Sequence, residues 1–167
     1  MTREEKTIEF MQRHFTKGTK VLDLGVPNSL GKLMAESGYD VENTKGEDLD
    51  IEYMKYSSTD AELVTAFQIF EHMLAPFNIL KELKSKHLIA SVPLKLWFAK
   101  AYWNESEVWD RHYHEFEDRQ FNMLLQRTGW KIVDSEKWTS PAGFIGIRPI
   151  LRNFTPRHYI VYCKRSE

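Results

Sequence analysis

The stretch VLDLGVPNSLG, residues 21–31, decides how this chain is read. Val21, Leu22 and Leu24 run into an Asp-Leu-Gly corner, the pattern by which a buried parallel strand meets a ligand loop at its carboxyl end. Pro27 and Ser29 stand where further glycines would build a phosphate cradle. Proline fixes φ near −65° and has no N–H, so Pro27 supplies neither a positive φ nor a hydrogen bond to an anion. The dinucleotide pattern G-x-G-x-x-G is absent, and Gly25 and Gly31, six apart, miss the spacing of the G-x-x-x-x-G-K-[ST] phosphate loop. A pyrophosphate ligand is therefore not expected here.

Working outward, Thr2 and Glu5 form a capping-box pattern, and Ile8, Met11 and Phe15 recur at helical spacing, predicting a helix over residues 2–15 that Gly18 ends. Asn28 or Ser29 caps a short helix carrying Leu30, Leu33 and Met34, closed by Gly38 before a strand over Tyr39–Thr44. Residues 46–59 are polar and irregular, which predicts a trimmed sheet at that point. Leu63–Phe70 reads as a buried strand, Pro76 opens a helix, and His87–Val92 is a strand stopped by Pro93. A helical-looking, aromatic-rich segment over Leu94–Trp109 precedes a helix at Asp118–Arg127 and strands at Trp130–Ser135 and His158–Lys164. The alternation predicts one α/β domain over residues 1–167, a doubly wound, mostly parallel sheet with helices on both faces. In such a sheet ligands meet the carboxyl ends of the strands, here residues 23–28, 45–50, 70–73 and 92–94.

Composition narrows the function. The 167 residues are 42% hydrophobic and 13% aromatic, enough for a sizeable core. With 23 basic and 24 acidic residues the net charge is −1, which argues against a general nucleic-acid binder. The N-terminus is charged and lacks an apolar core of signal-peptide length, and no run approaches the roughly 20 apolar residues of a membrane span, so a cytoplasmic protein is expected. Cys163 is the single cysteine; it has no internal disulfide partner and reads as a packed strand residue in HYIVYCK.

Residues 21–138 resemble a compact class I S-adenosylmethionine-dependent methyltransferase. VLDLG resembles the family's first motif, FQIFEHM (67–73) its fourth-strand motif with a Glu-His pair, HLIASVP (87–93) its fifth strand, and LLQRTGWKIVDSEKW its closing helix and strand. More narrowly, LGVPNSLGKLMAESGY with EDLDIE resembles the short glycan- and cell-envelope-type members. The resemblance implies a Rossmann-like sheet abbreviated after strand two, an aromatic-rich insertion after the family's fifth strand, and S-adenosylmethionine as cofactor. It implies cofactor contacts from Asp23, Gly25, Asn28, Glu47, Asp48, Asp50, Phe70 and Glu71. Gly25 would pack under the methionine part. Asp23 either organises that loop or bonds backbone N–H groups at a strand end. The family's acidic residue for the ribose is replaced by Lys45, leaving Glu47 and Asp48 as the nearest carboxylates, while Asp50 faces the adenine or builds a turn.

A hydroxyl acceptor benefits from a positioned base, and histidine serves near neutral pH. His72 follows the predicted strand at the ligand edge. His112 and His114 in WDRHYHEFED (109–118) would point the same way in an extended stretch, with Glu115 helping to cap the next helix. Their spacing matches neither H-E-x-x-H nor a cysteine–histidine zinc pattern, so no metal is expected. Trp97, Tyr102, Trp109 and Tyr113 crowd one stretch and suit a groove for an apolar or sugar-containing acceptor, or core filling. Arg148 and Arg152, like Arg157, either hold an anionic acceptor or pair with surface acids. The expected activity is O-methylation of a small-molecule, sugar or lipid-linked acceptor; the alternative is a catalytically degenerate module that binds a ligand or protein.

Overall fold

The computed structural model describes residues 1–140 and 147–166. Its elements run α1 (Arg3–Gln12), β1 (Lys20–Asp23), α2 (Ser29–Glu36), β2 (Asp40–Asn43), α3 (Met54–Ser57), β3 (Leu63–Phe67), α4 (Pro76–Glu82), β4 (His87–Pro93), α5 (Asp118–Arg127), β5 (Trp130–Thr139), α6 (Ile147–Phe154) and β6 (Pro156–Arg165). One six-stranded sheet has the order β2-β1-β3-β4-β6-β5. The first four strands are parallel, and β6 runs antiparallel to both β4 and β5. Because β1 lies between β2 and β3, the chain reverses its direction of travel across the sheet there, and the carboxyl ends of β1 and β3 flank a crevice.

Strand alternation sorts the core onto both faces. Val21, Leu63, Ile89, Ile160 and Tyr162 pack with Ile8, Phe10, Met11 and Met34 of α1 and α2. Leu22, Val64, Leu88, Val161 and Cys163 pack on the opposite face with Ile79, Leu80, Phe121 and Leu125 of α4 and α5. Trp130 is held in that second layer by donating its Nε1–H to the Leu80 carbonyl at 2.8 Å. Cys163 is fully buried, as its strand pattern indicates, and burial pushes its thiol up to about 12. Among the described residues no helix is long and apolar enough to cross a membrane.

Thr2 caps α1 through the reciprocal bonds with Glu5, and Asn28 caps α2 by accepting the Gly31 N–H at 3.0 Å. Gly38, at φ +100°, makes the left-handed turn that leads into β2. Between β2 and β3 there is only the one-turn α3, so the sheet is indeed abbreviated.

Two elements depart from expectation. The strand predicted to reach Phe70 stops at Phe67, because Gln68 takes φ +56° and residues 70–72 coil into a 3-10 turn. The Leu94–Trp109 segment is not helical; only Val108–Asp110 forms a 3-10 turn. Its polar side chains satisfy the backbone locally instead: Asn104 Oδ1 accepts the Ser106 and Glu107 N–H groups, and Glu107 accepts that of Trp109. Asp110 ties the loop together by accepting from the Tyr102 hydroxyl at 2.6 Å and from Asn104 at 2.9 Å.

Candidate functional site

Two clefts open at the carboxyl edge of the sheet and meet at Gly25. The larger, about 330 Å³, lies against the loops after β1, β2 and β3; Gly25, Glu47, Asp48, Asp50, His72 and Trp109 line it together with the apolar Leu49, Ile69 and Met73. The second, about 240 Å³, is bounded by Asp23 at the end of β1, Gly25 and Asn28 from the first loop, Gln68 just after β3, Ser91 of β4, and Arg3 and His158. Both volumes are of small-molecule scale. Pro27 is exposed and lines neither cleft, so its ring does not plug the space. A Cβ on Gly25 would sit 3.3 Å from Asp23 Oδ2, a tight contact, and 3.6 Å from Ile69 Cδ1, an ordinary one.

Asp23 is buried under the junction. Its Oδ1 accepts the Thr65 hydroxyl at 2.7 Å and its Oδ2 accepts Asn43 Nδ2 at 2.9 Å. Burial outweighs these bonds and raises its carboxyl to about 6. Asn43 also donates to the Gly25 carbonyl at 2.9 Å, fixing the corner from the end of β2. Asn28 is both a cleft wall and the cap of α2, its Nδ2 donating to the Val26 carbonyl at 3.1 Å.

The acidic loop after β2 is half-buried. Tyr56 and the Lys45 N–H hold the Glu47 carboxylate below the ordinary range. Asp48 accepts the Asp50 N–H at 3.0 Å. Asp50 lines the larger cleft, yet each of its oxygens is occupied, accepting the Leu74 and Ala75 N–H groups at 2.7 Å. Asp50 thus ties the loop after β2 to the segment before α4 while forming part of the cleft wall. Lys45 is exposed and outside both clefts.

Phe70 is wholly buried against Phe121, and Glu71 is 1% exposed. The Glu71 carbonyl accepts the Tyr113 and His114 N–H groups at 2.8 and 3.2 Å, which pins the 111–114 loop onto the turn after β3. His72 Nδ1 lies 3.1 Å from the Arg111 carbonyl; a carbonyl only accepts, so Nδ1 carries the proton and Nε2 keeps its lone pair. Burial and the neighbouring His112 lower the His72 pKa, so the ring is neutral near pH 7. His112 meets His72 edge-on at 4.9 Å between ring centres, and its Nδ1 lies 3.2 Å from Glu115. His114 turns elsewhere, towards the Leu74 carbonyl at 3.3 Å, and stacks on Phe116.

Glu115 does not cap α5; it binds the Tyr102 N–H and His112 and lies 3.5 Å from Arg157. The Glu117 N–H is instead satisfied by Gln120. Arg157 is likewise committed, donating to the Leu94 carbonyl. Trp97, Tyr102, Trp109 and Tyr113 are all exposed and do not fill the core, and of the four only Trp109 lines the larger cleft. Arg152 is exposed on α6, away from both clefts, and the Arg148 side chain lies outside the described residues. Asn43, Gln68, Ser91, Ile69 and His158 were not readable as site residues: only strand register and the left-handed Gln68 bring them to the crevice.

No family model and no curated protein matches the chain in sequence. In structure it is similar to a SAM-dependent methyltransferase from Archaeoglobus fulgidus, with a TM-score of 0.67 at 13% identity over 97% of this chain and 92% of that one. It is also similar to the magnesium protoporphyrin IX methyltransferase of Synechocystis PCC 6803, solved with SAH bound: TM-score 0.65, 14% identity, 98% of this chain and 81% of that one. A third similar structure is the [4+2]-cyclase SpnF, with a TM-score of 0.56 and 13% identity over 98% and 81% of the two chains. The fold is that of the class I SAM-dependent methyltransferases. The cyclase is a reminder that function must be argued from the site.

Proposed function

We propose that this chain is a SAM-dependent methyltransferase acting on a hydroxyl of a small-molecule, sugar or lipid-linked acceptor. The observation that carries the reading is the pair of clefts joined at Gly25, with the Asp23 carboxyl buried under the junction. The residues suit the cofactor: Leu49, Ile69 and Met73 offer an apolar wall for adenine, Glu47 and Asp48 offer carboxylates for the ribose hydroxyls, and Asp23, Asn28, Gln68 and Ser91 offer polar groups for the amino-acid end. Bound there, SAM supplies an electrophilic methyl group on a sulfonium. Proximity contributes most to such a transfer, and the chain's part is to hold the acceptor oxygen in line. His72, which lines the larger cleft and whose Nε2 keeps its lone pair, would orient and activate that hydroxyl, with His112 packed edge-on beside it. The exposed aromatic rim suits the apolar face of a sugar ring or an apolar acceptor.

Calorimetric titration with SAM and S-adenosylhomocysteine tests the reading, with micromolar affinity expected. Transfer of a labelled methyl group to hydroxylated acceptors then tests catalysis. Absence of binding at millimolar ligand overturns the proposal. Binding without transfer to any acceptor class favours the degenerate ligand-binding module, a reading that Lys45 in place of the ribose acid supports.

A further inference from the structure

Glu71 stands out because neither of its carboxylate oxygens finds a hydrogen-bond partner among the described residues, although the side chain is 1% exposed. A buried polar group left unpaired is costly, and buried carboxylates are normally paired or bound to a metal. Around it stand two imidazoles with lone pairs to give. His72 Nε2 lies 4.0 Å from Glu71 Oε1, and one ligand atom from each of Glu71, His72 and His112 lies within 4.8 Å of the others.

We propose that Glu71, His72 and His112 form a binding site for a divalent first-row transition cation. The donor set, two neutral imidazoles and one carboxylate, is that of three-ligand zinc and iron sites that keep an open position. Metal–ligand bonds of about 2.0–2.2 Å in a tetrahedral site set the donors about 3.3–3.6 Å apart, so the three donor atoms, now within 4.8 Å of one another, draw together by side-chain rotation on binding. The outer contacts are those that metal-bound histidines require. His72 Nδ1–H donates to the Arg111 carbonyl, and His112 Nδ1 is paired with Glu115, which Arg157 braces in turn. His72 is thus turned so that its Nε2, 4.0 Å from Glu71 Oε1, is the donor, and with Nδ1 of His112 engaged by Glu115, Nε2 is the nitrogen His112 has left to give. The backbone bonds from Tyr113 and His114 to the Glu71 carbonyl hold the two halves of the site together before any ion arrives. His72 lines the larger cleft, so the remaining coordination positions open towards it. This site was not anticipated from spacing, because its ligands come from two segments 40 residues apart (72 to 112).

The use of such an ion to polarise an acceptor hydroxyl rests on the proposed function; the existence of the site does not. The test is calorimetric titration of the tag-free full chain with zinc, and with cobalt followed by visible absorption. Saturable binding of one ion per chain with a tetrahedral or five-coordinate cobalt spectrum is expected. Glu71→Gln and His112→Asn should abolish it, Glu115→Gln should weaken it roughly tenfold, and the remote His14→Gln should leave it intact. Should Glu71→Gln not fold, His112→Asn carries the test alone. No saturable binding, or binding unaltered in His112→Asn, overturns the site. S-adenosylhomocysteine titration of the same samples separates the two readings: zinc binding without nucleoside binding keeps the metal site and rejects the methyltransferase, and the reverse keeps the methyltransferase and rejects the metal site.

Discussion

Replacing Gly25 with alanine separates folding from ligand binding at this corner. The φ of Gly25 is not in the left-handed region, so the backbone accepts a side chain there without strain. Alanine stabilises by about 0.4–1 kcal/mol through the unfolded chain at such a position. The new methyl would lie 3.3 Å from Asp23 Oδ2, a tight contact that offsets this gain, so net stability should stay within about 1 kcal/mol of the parent. The same methyl stands where the two clefts meet. Forcing a ligand past one extra methyl costs about 1–3 kcal/mol, which is a loss of roughly 5- to 150-fold in affinity. Urea denaturation of the apo chain gives the first quantity and calorimetry with S-adenosylhomocysteine the second. Gly25→Ala binding as tightly as the parent would refute the placement of a ligand at this junction, and a variant that cannot fold would refute the conformational argument.

Asp23 gives a pH dependence with a definite sign. Its folded carboxyl is raised to about 6 from 3.8, so its stabilising contribution is complete below the unfolded value and is lost as pH rises through the folded one. The difference is worth about 3 kcal/mol; urea midpoints should therefore fall between pH 4 and pH 7 relative to Asp23→Asn, whose profile lacks this component, and parallel profiles would contradict the assignment. Asn43→Asp sets a second carboxylate against Asp23 Oδ2 and strips the Gly25 carbonyl of its donor, and should cost about 2–4 kcal/mol in the same assay at pH 8. Trp130→Phe removes the bond to the Leu80 carbonyl and leaves a void in the α4–α5 layer; a loss of about 2–3 kcal/mol in denaturant is expected, and a loss below 0.5 kcal/mol would show that the layer repacks.

In the parallel half of the sheet β3 and β4 were legible as continuous apolar runs, with Pro93 closing β4, whereas the end of β3 was not, because the left-handed turn at Gln68 leaves no apolar signal. The loop residues nearest in sequence to the ends of β1 and β2, Gly25, Glu47, Asp48 and Asp50, were legible by position, and all four line the larger cleft. The aromatic insertion misled because its helical look says nothing of Asn104, whose side chain satisfies the backbone locally, or of Asp110, which ties Tyr102 and Asn104 together in place of a helix. His112 and His114 read as a pair in sequence, but tertiary contacts divide them, one packing edge-on against His72 and the other turning to the Leu74 carbonyl. Glu71 reads in sequence as a cofactor contact; that its carboxylate lies sealed without a hydrogen-bond partner depends on the 111–114 loop folding over it, a contact across 40 residues that no local pattern encodes.

The two 2.7 Å bonds from Asp50 to the start of α4 act as a latch between the loop after β2 and the turn after β3. The ordering entropy of that wall is lost during folding and not at the moment of capture. Association at the larger cleft should accordingly show little dependence on loop rearrangement, and freeing the latch with Asp50→Ala should slow the approach to equilibrium more than it changes the contacts finally made.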